Sequence, residues 1–165
     1  MEQVEMKKVA QLGVVVENAK KAMDAFCQMF SVPEEYTVLL HVKEGQNGSR
    51  FTADFGWVNY CGIQFEFIQP ISGDLGTYGD FLKQTGGGIH HIAFTSQSPA
   101  ALLAAFREES ANEVTPGSDM GKLQDPNVGY FDFHREMGLC FEVSTKNMDA
   151  MTTMSFEMLR KQLGQ

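Results

Sequence analysis

The sequence predicts an α+β protein in which two similar halves contribute to one sheet. In both halves, a strand of apolar and largely β-branched residues is followed by a helical pattern. Residues 9–30, the first strand and helix of one half, align with residues 89–110 of the other, and the last strands of the two halves also align. Such a repeat places equivalent strand positions on the same face of a shared sheet.

The first half begins with a predicted strand at residues 9–16, where valine and other apolar residues dominate. Asn18 is a suitable N-cap for the helix at 19–30, whose alanine, phenylalanine and methionine side chains share one face. Three further strands are predicted at 36–42, 51–58 and 62–69. In the last of these, apolar and polar residues alternate, which is typical of a strand with one buried face.

The second half repeats this order after a glycine-rich linker that contains a short helix around residues 78–84. It has a strand at 89–96, a helix that Ser98 caps and Pro99 begins, and two strands around a turn at 135–138. The tail predicts one amphipathic helix with apolar residues at helical spacing: Met151, Met154, Met158 and Leu159. We therefore divide the chain into a first module (8–70), a linker (71–88), a second module (89–146) and a C-terminal helix (147–165).

Composition and charge narrow the functional classes. A chain of 165 residues can bury a sizeable core in one domain or in two small modules. The net charge of −8 argues against nucleic acids and anionic membranes as partners, since both require a basic surface. Three cysteines without CxxC spacing, together with an N-terminus that lacks a secretory pattern, predict a reduced, cytoplasmic protein. No apolar run has the length of a membrane span.

Four polar residues interrupt otherwise apolar strands, and the repeat relates them in pairs. Gln11 aligns with His91, and Glu66 aligns with Glu142. Because equivalent positions share one face of the sheet, we expect all four side chains to converge, two from each half. We expect the neighbouring His90 to point to the opposite face, since successive residues of a strand alternate.

One imidazole, two carboxylates and one amide oxygen form a ligand set that suits Zn²⁺, Mn²⁺, Co²⁺ or Ni²⁺. An ion held by four protein ligands keeps open positions where it can polarise a substrate carbonyl and stabilise an enediolate. Glu142 or Glu66 is then the candidate catalytic base. A single histidine or glutamate on a strand is more often a core or surface residue than a ligand, so the hypothesis depends on the four residues together.

Other candidate residues carry weaker signals. His41 lies on a predicted strand near the open side of the sheet, and we consider it a candidate substrate-binding residue. Trp57 is a second such candidate, although aromatic strand residues are more often part of the core. His134 follows a strand end, where a turn residue is more typical than a ligand.

At these residues the chain resembles the vicinal oxygen chelate superfamily, which includes glyoxalase I, methylmalonyl-CoA epimerase, bleomycin-resistance proteins and extradiol dioxygenases. The similarity covers roughly residues 8–146, and the segments FEFIQP at 65–70 and YGDFLKQTGGGIHHIAF at 78–94 look most like the epimerase branch. The resemblance implies two βαβββ modules in one cupped mixed sheet, with a metal ion held by the first and last strands of each module. In the epimerases the second histidine of the pair is the ligand, which corresponds to His91.

The ligand identities depart from the epimerase pattern. Epimerases usually have histidine at the first ligand position, where this chain has Gln11, and the set of Gln, Glu, His and Glu is that of glyoxalase I. Extradiol dioxygenases have an iron site of the type with two histidines and one carboxylate, so the missing histidine also argues against this class. Glu44, in a loop, is a loose candidate for the second catalytic glutamate of the epimerases.

Because relatives often dimerise, the resemblance also implies a homodimer.

The favoured hypothesis is a divalent-metal-dependent isomerase or lyase that transfers a proton next to a carbonyl through a metal-bound enediolate. Its substrate would be a small acyl thioester or a thiol adduct of a 2-oxoaldehyde. The alternative is a metal-free protein of the bleomycin-resistance type that sequesters an apolar ligand, although such proteins generally lack the two carboxylates of this chain. A structural or regulatory relative with neither metal nor pocket is a third hypothesis.

Overall fold

The computed structural model describes residues 6–46, 49–109, 113–114, 127–145 and 148–165. Within these ranges, eight strands form one mixed sheet accompanied by helices, which confirms the predicted α+β class and the two βαβββ modules. The last residue of the predicted second-half helix, 110, and the first residue of the predicted tail helix, 147, lie outside the described residues. No helix in the described ranges has the length and apolar character needed to cross a membrane.

The first module follows the order that the sequence predicts. It consists of β1 (Met6–Val15), α1 (Ala19–Phe30), β2 (Thr37–Val42), β3 (Phe51–Tyr60) and β4 (Ile63–Gly73). The predicted cap of α1 is present, because the side chain of Asn18 accepts a 2.7 Å hydrogen bond from the backbone N–H of Lys21. A single 3₁₀ turn at Glu34–Tyr36 leads into β2.

The second module repeats this order after the linker helix α2 (Gly76–Thr85). It consists of β5 (Gly88–Ser96), α3 (Pro99–Glu109), β6 (Glu113–Val114), β7 (Val128–Phe133), α4 (His134–Met137) and β8 (Leu139–Ser144). The sequence pattern did not indicate β6, which has only two residues. The predicted turn at 135–138 is largely the short helix α4, which ends at Gly138 in the left-handed conformation.

The two modules meet at the centre of the sheet. The strand order is β2-β3-β4-β1-β5-β8-β7-β6, so corresponding strands of the two modules lie at equal distances on either side of the boundary between β1 and β5. The central pair is antiparallel, whereas β1 pairs in parallel with β4 and β5 pairs in parallel with β8. The first and last strands of both modules therefore lie side by side in the middle of the sheet.

Helices α1 and α3 cover one face of the sheet. Ala19 and Met23 of α1 pack with Val58 and Phe67, and α3 forms the equivalent apolar cluster in the second module. Phe67 and Glu66 are neighbours on β4, and adjacent strand residues point to opposite faces. Because Phe67 faces α1, Glu66 points to the opposite face of the sheet.

Helix α2 and the C-terminal segment each cover a part of the other face of the sheet. Tyr78 of α2 packs against Val15 and Ile68. Met148, in the short helix α5 (Met148–Met151), packs against Ala93. The polar middle of the sheet lies between these two coverings.

The tail differs from the predicted single helix. It forms α5 and a second short helix, α6 (Glu157–Leu163), with no helix at 152–156. Tertiary contacts replace helical ones in this break, because the N–H of Phe156 donates a 2.6 Å hydrogen bond to the carbonyl of Glu35. The threonines and serine there are also weak helix formers. Phe156 is 1% exposed and Met158 is 69% exposed, so the predicted methionine face is not the buried one.

Candidate functional site

The backbone register brings the four aligned residues onto one face of the central strands. Gly13 of β1 pairs with Glu66 on one side and with His91 on the other. Directly paired residues of neighbouring strands point to the same face. Glu66 and His91 therefore project from the same face, on either side of Gly13.

The other two residues lie in the next row of the same face. Gln11 pairs with Ala93, which pairs in turn with Glu142. Gln11 precedes Gly13 by two positions on the same strand, so both rows share one face. The structure thus brings together Gln11, Glu66, His91 and Glu142, two from each module.

Three of these side chains are in direct contact. The Nε2 atom of His91 lies 3.3 Å from an Oε2 atom of Glu142 and 3.5 Å from Oε2 of Glu66. The His91 side chain is 0% exposed, and the two carboxylate side chains are 9–10% exposed. Two carboxylates at this depth require a compensating positive charge or strong hydrogen bonds.

Each carboxylate is held by a donor on the adjacent strand. The indole Nε1–H of Trp57 donates a 2.7 Å hydrogen bond to Glu66, with which Trp57 is paired in the β3–β4 register. The hydroxyl of Tyr130 donates a 2.9 Å hydrogen bond to Glu142, its partner in the β7–β8 register. The two modules therefore orient their glutamates in the same way, which fixes the direction of both carboxylates.

Gln11 has a different neighbour. Its Nε2 group donates a 2.7 Å hydrogen bond to Oε1 of Gln64, its partner across the β1–β4 pair. Among the described residues, the Oε1 atom of Gln11 is buried without a hydrogen-bond partner, and the buried Nε2 atom of His91 makes only the ion-pair contacts with Glu66 and Glu142. Buried polar atoms normally have partners, so these two are where a ligand of the site would bind.

The electrostatics of the cluster favour a cation. Burial opposes protonation of His91, but the carboxylates of Glu142 and Glu66 outweigh it and raise the pKa of His91 above its usual value. Burial and the same carboxylates hold the pKa of the Tyr130 phenol well above its usual value, so Tyr130 remains a neutral hydrogen-bond donor. The two carboxylates therefore favour the protonated form of His91, which would supply a compensating positive charge.

The expectation that His90 points away from His91 is wrong. In the β1–β5 pair, Val14 is opposite Ile89 and Gly13 is opposite His91, so His90 is the extra residue of a β-bulge. The bulge breaks the alternation and brings the Nδ1 atoms of His90 and His91 within 3.3 Å. Burial, followed by the charges of neighbouring His91 and His134, lowers the pKa of His90 to about 3. His90 is therefore a neutral hydrogen-bonding neighbour of His91.

The structure does not bring the weaker candidates to this cluster. His41 contacts Asp54, which is three residues before Trp57 on β3 and therefore on the opposite face. Glu44 is exposed in the loop after β2. His134 begins α4, where its Nδ1 atom lies 2.6 Å from Asp132.

A cavity of about 350 Å³ lies next to the cluster, between α2 and the second module. Its lining includes Thr77, Phe81, His90, Asp132 and His134. His90, which lines the cavity, contacts His91 of the cluster. Its size is within the range of small-molecule sites.

The cluster offers two carboxylates, an imidazole and an amide oxygen, which are ligand types that borderline divalent ions accept. Within the described ranges, no three His, Cys, Asp or Glu side chains are already arranged around an ion position. Instead, His91 contacts the carboxylates directly. An ion that entered this cluster would take the place of the His91 proton as the compensating charge.

Sequence reasoning missed the residues that support the cluster. Gly13 lies beneath His91, Gln64 holds Gln11, and Tyr130 holds Glu142. Each is a cross-strand partner of a predicted ligand or of its neighbour, so only the strand register could have identified it. Trp57, a weak candidate for substrate binding from the sequence, directs its indole N–H at Glu66.

Several solved structures share the fold at low sequence identity. A hypothetical protein from Bacillus halodurans is 15% identical, with a TM-score of 0.56, over 88% of this chain and 96% of its own. A methylmalonyl-CoA epimerase from Streptomyces coelicolor, in complex with 2-nitronate-propionyl-CoA, is 13% identical, with a TM-score of 0.56, over 86% of this chain and 100% of its own. The Mycobacterium tuberculosis methylmalonyl-CoA epimerase is 13% identical, with a TM-score of 0.53, over 87% and 91%.

The sequence comparisons give the family. No curated protein sequence matches the chain significantly. The family profile of the glyoxalase/bleomycin resistance protein/dioxygenase superfamily matches residues 10–125, which is more than half of the chain. Together with the paired βαβββ modules, this match shows that the chain belongs to the glyoxalase/bleomycin resistance protein/dioxygenase superfamily.

Proposed function

We propose that the protein is a divalent-metal-dependent isomerase or lyase that transfers a proton next to a carbonyl group. The observation that carries the proposal is the buried contact of His91 with both Glu66 and Glu142, which joins the two modules. The unpartnered oxygen of Gln11 on the same face supplies a fourth ligand. We assign these four residues as ligands of one Zn²⁺, Ni²⁺, Co²⁺ or Mn²⁺ ion.

A bound ion would supply Lewis-acid polarisation of the substrate carbonyl. The protein itself would move the proton. We assign this role to Glu142 or Glu66, because a carboxylate beside the acidic carbon can accept the proton and return it. The hydroxyl of Tyr130 and the indole of Trp57 hold the two carboxylates in place during the transfer.

We assign the substrate to the cavity between α2 and the second module, because His90, which lines it, contacts His91 of the cluster. The proposed class is a small acyl thioester or a thiol adduct of a 2-oxoaldehyde, since both carry an acidic hydrogen next to a carbonyl. The methylmalonyl-CoA epimerases of the same fold support the first of these, and the glutamine at position 11 supports the second. Both reactions begin with removal of a proton next to a carbonyl group.

The direct test is exchange of the substrate's α-proton, followed by proton NMR in D₂O with added Ni²⁺, Co²⁺, Zn²⁺ or Mn²⁺. The probes are methylmalonyl-CoA and the adduct of glutathione with a 2-oxoaldehyde. We expect exchange with one of them and a loss of about 10²-fold or more in Glu142→Gln or Glu66→Gln, because general-base catalysis contributes that much. His41→Ala is the matched control, since His41 lies on the other face. A protein that binds metal but exchanges neither probe contradicts the proposal.

A further inference from the structure

A directed chain of side-chain amides runs from the C-terminal segment to Gln11. Asn59 Nδ2 donates hydrogen bonds of 2.7 and 2.8 Å to the backbone carbonyls of Met151 and Met154. Gln64 Nε2 donates to Asn59 Oδ1 at 3.3 Å, and Gln11 Nε2 donates to Gln64 Oε1 at 2.7 Å. All three amide side chains are at most 5% exposed.

The direction of this chain is determined at its C-terminal end. A backbone carbonyl only accepts hydrogen bonds, so Asn59 must turn its NH₂ group toward Met151 and Met154. The oxygen of Asn59 then faces Gln64 and requires a donor from it. Gln64 is left with its oxygen toward Gln11, and Gln11 must use its NH₂ group there. The oxygen of Gln11 is consequently the end of its amide that has no partner among the described residues.

We propose that Asn59 and Gln64 are positioning residues that make Gln11 present its oxygen, and never its NH₂ group, to the metal ion. This inference rests on the proposed function, in which Gln11 is a ligand. An amide nitrogen has two donor hydrogens and no available lone pair, so a flipped Gln11 would lose a ligand and direct hydrogens at the ion. The chain of amides excludes that flip.

The proposal also links the C-terminal segment to the site. The carbonyls of Met151 and Met154 frame the break between α5 and α6, which the Phe156–Glu35 hydrogen bond fixes. Phe156 packs near Trp57, the residue that holds Glu66. The C-terminal segment thus contacts Asn59, the first residue of the amide chain that orients Gln11. It also contacts Trp57, which holds Glu66.

The test is a comparison of Co²⁺ affinity in four proteins: wild type, Gln64→Met, Gln11→Glu and the double variant. Gln64→Met removes the acceptor that orients Gln11 and keeps a similar side-chain volume. We expect it to weaken Co²⁺ binding by about 10- to 100-fold, as is usual for a residue that orients a ligand. A carboxylate presents oxygen in either orientation, so in the Gln11→Glu background Gln64→Met should cost little or even improve affinity.

A purely structural role for Gln64 predicts a different pattern, in which Gln64→Met weakens binding equally in both backgrounds. That pattern, or wild-type affinity in Gln64→Met, would overturn the inference. If Gln64→Met does not fold, Asn59→Leu replaces it, because leucine offers no oxygen to Gln64 and so no longer fixes the direction of the Gln64 amide. Asn59→Leu should also weaken binding less in the Gln11→Glu background than with Gln11 present, and equal losses would overturn the inference.

A measurement without metal separates this inference from the proposed function. Side-chain amide exchange, followed by NMR in the metal-free wild-type protein, should show slow exchange of the Nε2 protons of Gln11 and rapid exchange of those of the exposed Gln84. Rapid exchange at Gln11 contradicts the chain of amides whatever the metal result. Slow exchange in a protein that binds no ion instead contradicts the proposed function and leaves the amide arrangement supported.

Discussion

The imidazole of His91 occupies the space that any side chain at Gly13 would require. A Cβ atom on Gly13 would lie 2.0 Å from Cε1 and 2.3 Å from Nε2 of His91, well inside van der Waals contact. Gly13 pairs directly with His91 in the central β1–β5 pair, so neither backbone can move aside without disturbing the sheet. The absence of a side chain at residue 13 therefore sets where the His91 ring lies.

Gly13→Ala should displace the His91 ring and destabilise the fold. We expect a loss of about 1–3 kcal/mol in the free energy of unfolding, typical of overpacking a buried site. Chemical denaturation of the metal-free protein measures it. The control is the same substitution in the His91→Ala background, where the clashing ring is gone. Equal losses in the two backgrounds would show that the ring is not the obstacle.

Tyr130→Phe should weaken metal binding while leaving the packing of the ring in place. The substitution removes the hydroxyl that donates to Glu142. We expect metal affinity to fall by about 10- to 100-fold, as for other residues that orient a metal ligand. Isothermal titration with Co²⁺ or Zn²⁺ measures the change. Tyr60→Phe is the control, because Tyr60 packs against Phe26 on the face opposite the cluster, and an equal loss there would refute the assignment.

Metal affinity should rise with pH because of His91. Glu142 and Glu66 overcome the effect of burial and raise the pKa of His91, so in the metal-free protein this residue keeps its proton to higher pH than an ordinary histidine. A metal ion must displace that proton. Below the His91 pKa, affinity should therefore increase about tenfold per pH unit, and above it this dependence should vanish. Titrations in buffers of different ionisation enthalpy measure the released proton, and binding without proton release at low pH would disprove the assignment.

The loop of the β3–β4 hairpin contains a cysteine whose replacement should increase the stability of the fold. Cys61 and Gly62 form its two-residue loop, and both have positive φ angles, 52° and 73°. Asparagine is favoured at the first position of such a type I′ turn. Cys61→Asn should therefore stabilise the fold by roughly 0.5–1 kcal/mol. Cys61→Val should destabilise it, because a β-branched side chain disfavours a positive φ angle. Denaturant midpoints measure both, and equal midpoints would argue against this loop conformation.

Local patterns in the sequence were sufficient to predict most of the fold. Alternating residues defined strands such as 62–69, and the repeat aligned Gln11 with His91 and Glu66 with Glu142, as the strand order places them. Because the period of a strand is two, each alignment places its two residues on equivalent faces, and the register of β1 with β4 brings the two pairs onto the same face. The repeat therefore carried more information than any single motif.

Features that depend on strand pairing could not be predicted from local patterns. The bulge at His90 arises where β5 pairs with β1, and these strands are far apart in the chain. The contacts of Trp57 and Tyr130 with their glutamates depend on the register of β3 and β7. The tail has helical spacing throughout, yet hydrogen bonds from distant residues such as Asn59 support a break within it. Tertiary contacts here override a local propensity.

Metal content per chain tests the central claim most directly. The protein should be purified without chelator, analysed by elemental mass spectrometry, and then titrated with Ni²⁺, Co²⁺, Zn²⁺ and Mn²⁺. We predict about one ion per chain in wild type and in His41→Ala, and none in the His91→Ala, Glu142→Ala double variant, because metal binding depends on these ligands. A folded wild-type protein that contains no metal and takes up none on titration would contradict the account, and would favour a metal-free binding protein instead.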